Sequence, residues 1–263
     1  MLRTLAGAAK DQFVEYGSAH SLPHRRHGRH MDIVVTPDSQ TAADEAARWI
    51  ARQLRLAVRR RGTASVAFSG GSTPALMLPA LAGLSVPWEA TTVFQVDERV
   101  APDGDPDRNA SLLEVLRPLR PSIRLMPVTS ADLGAARRRY ASMLPDRLDV
   151  VHLGVGDDGH TASWPPGDPV IDDRRTVAIS GEYKGRVRMT LTVPVVNGAR
   201  HRLVLATGTA KAPVIEGWLL HDHQLPIDRV SRSNTIVVLD AEAAARLPSG
   251  HPLPPAPGAR RSR

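Results

Sequence analysis

An alternation constrains this chain more than any other feature: short, largely apolar runs are separated by stretches with helical spacing. Ala64-Ser-Val-Ala-Phe68, Thr91-Thr-Val-Phe-Gln-Val96, Leu148–Leu153, Arg202-Leu-Val-Leu-Ala206 and Thr235-Ile-Val-Val-Leu239 read as strands, and Met31 opens a further one at Asp-Ile-Val-Val. Between the strands, Thr41–Arg60 carries Ala43, Ala46, Ala47, Ile50, Leu54 and Ala57 at helical spacing. Pro74–Leu81, Ala110–Leu116, Leu133–Met143 and Ala210–Leu220 predict more helices. Strands without polar alternation are covered on both faces, so the order predicts an α/β fold: a mostly parallel sheet with helices on both faces. Ligands of such a sheet gather at the carboxyl ends of its strands.

With 263 residues and 42% apolar content, one sizeable domain is the simplest reading, and its expected span is residues 31–247. Residues 1–30 show no sustained periodicity and end in His24-Arg-Arg-His-Gly-Arg-His30, which reads as a disordered extension. His20, His24, His27 and His30 lie in that arm without carboxylate support, so no metal site is expected there. Residues 248–263, rich in Pro, Ala and Arg, read as a disordered basic tail. The formal charge is +7, of which residues 1–30 hold +3 and Arg260, Arg261 and Arg263 another +3. The body is nearly neutral and poor in aromatics, which argues against a nucleic-acid platform. The chain has no cysteine and no apolar run approaching the roughly 18 residues of a membrane span. A cytoplasmic protein with no membrane partner is the expectation, as a monomer or small homo-oligomer.

Four strand-end loops carry the chemistry. Phe68-Ser-Gly-Gly-Ser-Thr-Pro74 runs into a helix expected to begin at Pro74. Its free N–H groups and helix dipole suit an anion such as phosphate, while an ordinary Ser/Thr cap would look the same. Val96-Asp-Glu-Arg-Val100 places three ionisable side chains at a strand end, too many for all to be core. Asp97 can bind substrate hydroxyls or shuttle a proton, and Arg99 can pair with an anion. In Ala206-Thr-Gly-Thr-Ala-Lys211, one of three lysines in the chain sits at a strand-to-helix turn, a place for a compact ammonium.

The remaining loop, within Leu148–Ser163, brings glycines together with Asp158 and His160. A carboxylate two residues from an imidazole makes His160 the first candidate for a general base. Gly154-x-Gly-x-x-Gly159 matches the dinucleotide fingerprint, but Pro165 and Pro166 leave no room for the helix that fingerprint needs. No Gly-x-Ser-x-Gly elbow is present, so His160 acting on water is more economical than His160 activating a serine. His221-Asp-His223 follows a helix and reads as a solvated loop.

Taken in order, Gly70-Gly-Ser-Thr-Pro74, Asp97-Glu-Arg99, Leu153–Ser163, Arg188-Met-Thr-Leu-Thr192 and Gly208-x-x-Lys211-Ala resemble the 6-phosphogluconolactonase family, within the glucosamine-6-phosphate isomerase/deaminase superfamily. The resemblance covers roughly residues 32–245. It implies an isomerase/lactonase-type Rossmann-like fold and hydrolysis of 6-phospho-D-glucono-1,5-lactone to 6-phospho-D-gluconate, the second step of the oxidative pentose phosphate pathway. It implies that Gly70, Gly71, Ser72, Thr73, Lys211 and Arg188 hold the phosphate, and that Asp97 and Arg99 contact the sugar or orient the site. His160, supported by Asp158, would activate water. The amino-sugar isomerases and deaminases of the superfamily carry a glutamate five residues beyond the histidine, where this chain has Pro165. A non-catalytic phosphosugar-binding regulator would keep the phosphate loop without needing the Asp158–His160 pair. A histidine, with an ordinary pKa of about 6.5, is matched to base chemistry near neutral pH, and no metal or cofactor is called for. The oxyanion needs a donor, either a backbone N–H or Arg99.

Overall fold

The computed structural model describes residues 31–247. The expectations for residues 1–30 and 248–263 lie outside the described residues. Seven strands form one all-parallel sheet: β1 (Asp32–Thr36), β2 (Ala64–Phe68), β3 (Thr91–Gln95), β5 (Ser122–Arg124), β6 (Val150–Leu153), β9 (His201–Ala206) and β10 (Thr235–Asp240). Their order is β1-β10-β9-β6-β2-β3-β5. Three others, β4 (Asp97–Arg99), β7 (Val177–Tyr183) and β8 (Arg186–Leu191), pair antiparallel in the order β4-β8-β7. Among the described residues the α-helices are α1 (Ser39–Arg61), α2 (Ser72–Ala82), α3 (Leu133–Met143), α4 (Val193–Gly198) and α5 (Ala212–Leu219). Residues 109–119 form 3₁₀ rather than α-helical turns.

Because side chains alternate along a strand, each apolar strand feeds two cores. Val34, Val66, Val93, Val150, Leu203 and Val238 face the layer holding α1 and α2. Their neighbours Ile33, Ala67, Phe94, Val151, Val204 and Val237 face the layer holding α3, α4, α5 and the small sheet. The expected stripe on α1 is buried as read, and Ile50 and Leu54 are fully enclosed. Burying each stabilises the fold by about 1.5–3 kcal/mol. Asp38 caps α1 by accepting from Thr41 N at 2.7 Å, and Gly62, at φ 79°, ends it.

The strand order places a topological switch between β2 and β6, which are hydrogen-bonded neighbours with Phe68 opposite His152. From β2 the chain leaves through α2 toward β3, and from β6 it leaves across the other face toward β9. The two loops therefore diverge, and a crevice opens at the carboxyl ends of β2 and β6. Among the described residues, no helix is long and apolar enough to cross a membrane.

Candidate functional site

A cleft of about 200 Å³ lies in that crevice, and its walls come from four sequence-distant loops. The loop after β2 contributes Ser69, Gly70, Gly71, Ser72 and Thr73; β4 and the loop beyond it contribute Asp97, Arg99 and Asn109; the loop after β6 contributes His160; the turn after β9 contributes Lys211. The β7–β8 hairpin adds Lys184.

Helix α2 starts at Ser72, two residues before the expected Pro74. Gly71 provides the non-helical cap with φ 115°, and Pro74 falls within the first turn, where its missing N–H costs no hydrogen bond. No side chain caps this end. The first-turn N–H groups therefore face the cleft without a side-chain acceptor, which favours an anion. A Cβ at Gly70 would lie 1.7 Å from Asn109 Oδ1, so only glycine lets the loop run this close to Asn109. Asn109 in turn accepts from Arg99 Nη1 at 2.6 Å and donates through Nδ2 to the Asp97 carbonyl at 2.9 Å.

The loop after β6 is closed on itself, with Gly156 N donating to His160 O at 2.8 Å and Thr161 Oγ1 to Gly154 O at 2.8 Å. No helix follows Gly159, as Pro165 and Pro166 dictate. His160 Nδ1 lies 2.5 Å from Asp158 Oδ1. Tyr183 donates its hydroxyl to Asp158 Oδ2 and lies 3.1 Å from His160 Nδ1. Burial alone would raise the Asp158 pKa, but the hydrogen bonds from Tyr183 and His160 outweigh it and hold the carboxyl well below the usual range. Burial and the Asp158 carboxylate push the Tyr183 phenol up, so it stays a donor. An ionised carboxylate at Nδ1 fixes the imidazole tautomer, placing the proton on Nδ1 and leaving Nε2 as acceptor.

Of the side chains singled out in the sequence, Gly70–Thr73, Asp97, Arg99, His160 and Lys211 line one cleft. Asp158 stands behind His160. Asp97 is 4% exposed and accepts from Ser163 Oγ at 2.7 Å; burial raises its pKa, against the lowering effect of Ser163, Arg99 and Arg188. Arg188 does not line the cleft. It is buried, its guanidinium 5.1 Å from the Tyr183 ring centroid, and it pairs in register with Arg99. It lies against Tyr183 and within electrostatic reach of Asp97 and Arg99, which do line the cleft. Glu98 also turns away from the cleft. Fully buried, it accepts from Gln95 Nε2 at 2.7 Å, Arg99 N and Asn109 N at 2.8 Å and Ala110 N at 2.9 Å, with Arg108 Nε 3.1 Å away. Trp164, also fully buried, donates Nε1 to Leu191 O at 2.9 Å and belongs to the core. His221 and His223 lie in an exposed loop beside Asp228, and among the described residues no cluster suited to a metal ion occurs.

Sequence reasoning missed Tyr183, Lys184 and Asn109. Lys184 and Gly185, at φ 51° and 75°, make the two-residue turn of the β7–β8 hairpin. That Lys-Gly pair between half-polar runs was the available signal.

Known proteins with similar features fall in one group. The family model for glucosamine-6-phosphate isomerases/6-phosphogluconolactonase matches residues 37–238. A 6-phosphogluconolactonase of Mesorhizobium japonicum is 32% identical over 208 residues, covering 74% of this chain and 87% of that protein. The crystal structure of a 6-phosphogluconolactonase from Shewanella baltica superposes with a TM-score of 0.73 at 25% identity, covering 80% of this chain and 97% of that one. A monomeric glucosamine-6-phosphate deaminase superposes with a TM-score of 0.68 at 18% identity, covering 82% and 100%. The fold is thus common to proteins with both activities in their names and does not choose between them.

Proposed function

This chain belongs to the glucosamine-6-phosphate isomerase/6-phosphogluconolactonase family, and from that premise we propose that it hydrolyses 6-phospho-D-glucono-1,5-lactone to 6-phospho-D-gluconate in the cleft between β2 and β6. The observation that carries the reading is the meeting, in one cleft, of an uncapped helix N-terminus and Lys211 with a histidine whose Nδ1 is held by a carboxylate. The first pair suits the phosphate and the second suits attack on a carbonyl. Among the described residues no glutamate lines the cleft, and Pro165 stands where a deaminase of this superfamily would carry one.

In the proposed reaction the phosphate sits on the α2 N-terminus and Lys211, which sets the lactone carbonyl before His160. Nε2 takes a proton from water as its oxygen bonds to C1. The C1–O5 ring bond then breaks, and the imidazolium returns the proton to O5. Asp158, ionised throughout, stabilises the transient imidazolium, and Tyr183 keeps that carboxylate ionised and oriented. Asp97 accepts from the sugar hydroxyls, and Arg99, held by Asn109, lies beside it. The role is the second step of the oxidative pentose phosphate pathway, carried out in the cytoplasm.

The test is consumption of freshly prepared lactone, measured above its spontaneous hydrolysis, alongside glucosamine 6-phosphate assayed for released ammonia. The expected outcome is rapid lactone loss and no ammonia. Ammonia release with lactone loss at the background rate would overturn the reading in favour of a deaminase.

A further inference from the structure

A second cavity, about 380 Å³ in volume, opens at the opposite, amino edge of the parallel sheet. It is lined by four arginines from three separate segments: Arg60 and Arg61 at the end of α1, Arg147 before β6, and Arg200 before β9. Among the described residues, Asp149 is the one carboxylate in the lining. Leu56 and Ala57 form an apolar wall, and Gln53, His201 and Asn234 complete it.

The ordinary account of these arginines is partial. Basic residues in the last turn of α1 complement the helix dipole, which accounts for Arg60 and Arg61. Asp149, 6% exposed, anchors Ser65 N at 2.9 Å through Oδ2 and engages Arg61 and Arg200 through Oδ1, the latter at 3.2 Å. Neither reason covers Arg147, whose Nε donates to Gly198 O at 2.9 Å and whose terminal nitrogens meet no acceptor among the described residues. Four guanidiniums against one carboxylate leave three positive charges around one concavity, an arrangement that repels itself unless an anion enters. Asp149 and Gly198 hold three of the forks in place, so little ordering remains to be done on binding.

We propose that this cavity is a binding site for a small, multiply charged phosphate compound, gripped by guanidinium forks and packed against Leu56 and Ala57. Guanidinium planes match phosphate oxygens two at a time, and the volume suits a diphosphate with a compact organic group. The site is separate from the lactone cleft, with the full length of β6 and β9 between them, and does not depend on the cleft's chemistry.

The test is calorimetric titration of the full chain with pyrophosphate at constant ionic strength. Because the lactone cleft can also take phosphate, the titration is repeated on Lys211→Ala and on Arg60→Ala/Arg147→Ala. The latter pair leaves the Asp149 anchor intact, so the variant should fold, which its melting temperature checks. The expected result is a binding event that survives Lys211→Ala and is weakened about tenfold or more in the arginine variant, with lactone turnover unchanged. An isotherm unaffected by the arginine changes would overturn the proposal. So would equal competition by sulfate, which would mark an unselective basic surface. If the lactonase reading fails and the arginine-dependent event remains, this proposal stands alone.

Discussion

The two sheets of this protein build the cleft in different ways. In the parallel sheet every strand points the same way, so loops from residues 69–73, 154–162 and 207–211 meet at one edge although they are far apart in sequence. Those loops supply the groups proposed to touch the reacting atoms and the phosphate. The antiparallel sheet is small, and its β7–β8 hairpin reaches the site from the side, bringing Tyr183 against Asp158 and Lys184 to the cleft wall. The difference teaches that direction of pairing sorts tasks: parallel strands converge their ends on a point, while a hairpin braces that point from outside.

The division is open to test, beginning where the effect should be greatest. His160→Ala, on a parallel-sheet loop, should lower lactone turnover by about 10²- to 10⁴-fold with the fold intact, as for a lost general base. Steady-state rates corrected for spontaneous hydrolysis, with circular dichroism as a fold check, measure this. Turnover near that of the unmodified protein would return Asp97 to consideration as the base.

Lys211→Ala, also on the parallel sheet, should cost about 1.5–3 kcal/mol in kcat/KM through a lost charge-assisted contact. Unphosphorylated gluconolactone should show almost no change. Equal losses on both substrates would make Lys211 a structural residue and remove the phosphate from that wall.

The smallest effect belongs to the hairpin. Tyr183→Phe should reduce turnover only about threefold to tenfold, since it removes one hydrogen bond one step from His160. It should also change acid stability in a defined direction. A carboxyl whose folded pKa lies below its unfolded value stabilises the fold above that unfolded value, about 3.9, and the contribution is lost as pH falls through the folded value. Removing the Tyr183 hydroxyl raises the folded pKa of Asp158, so the variant should be less stable than the parent near neutral pH, and its smaller Asp158 contribution should start to be lost at the same pH but be gone at a higher one. Melting temperatures between about pH 5 and pH 2 would show the displacement. A turnover loss as large as that of His160→Ala would break the division between the sheets.

The same contrast explains what the sequence revealed. β2 appears with its boundaries as read and β3, β6, β9 and β10 within two residues, because strands covered on both faces must be apolar from end to end. β4 is Asp-Glu-Arg, which looks like a charged loop, and β7 contains Ser180-Gly-Glu182 and an irregular register between Ser180 and Tyr183. Neither leaves a strand signal in composition. The Asp158–His160 pair proposed as catalytic is legible because its members are close in sequence, whereas Tyr183, 25 residues on from Asp158, joins them only through tertiary pairing. The sequence shows Asp97, Glu98 and Arg99 as three ionisable groups too many for all to be core, without showing which one is enclosed. The burial of Glu98 depends on four donors, from Gln95, Arg99, Asn109 and Ala110, and on an ion pair with Arg108, most of them beyond its own position in the chain, and a linear pattern cannot display that enclosure.

The close approach of Gly70 to Asn109 bears on how this cleft can be redesigned. The two loops share a wall with no spare volume, and Asn109 also steadies Arg99, so widening the pocket from that side would displace the anion loop and the arginine together. The hairpin tip is the adjustable side. Lys184 is more than half exposed, and Gly185 beside it has open space where a Cβ would go. A library aimed at accepting a bulkier phosphorylated lactone should therefore vary the hairpin around Lys184 and leave Gly70 and Asn109 untouched.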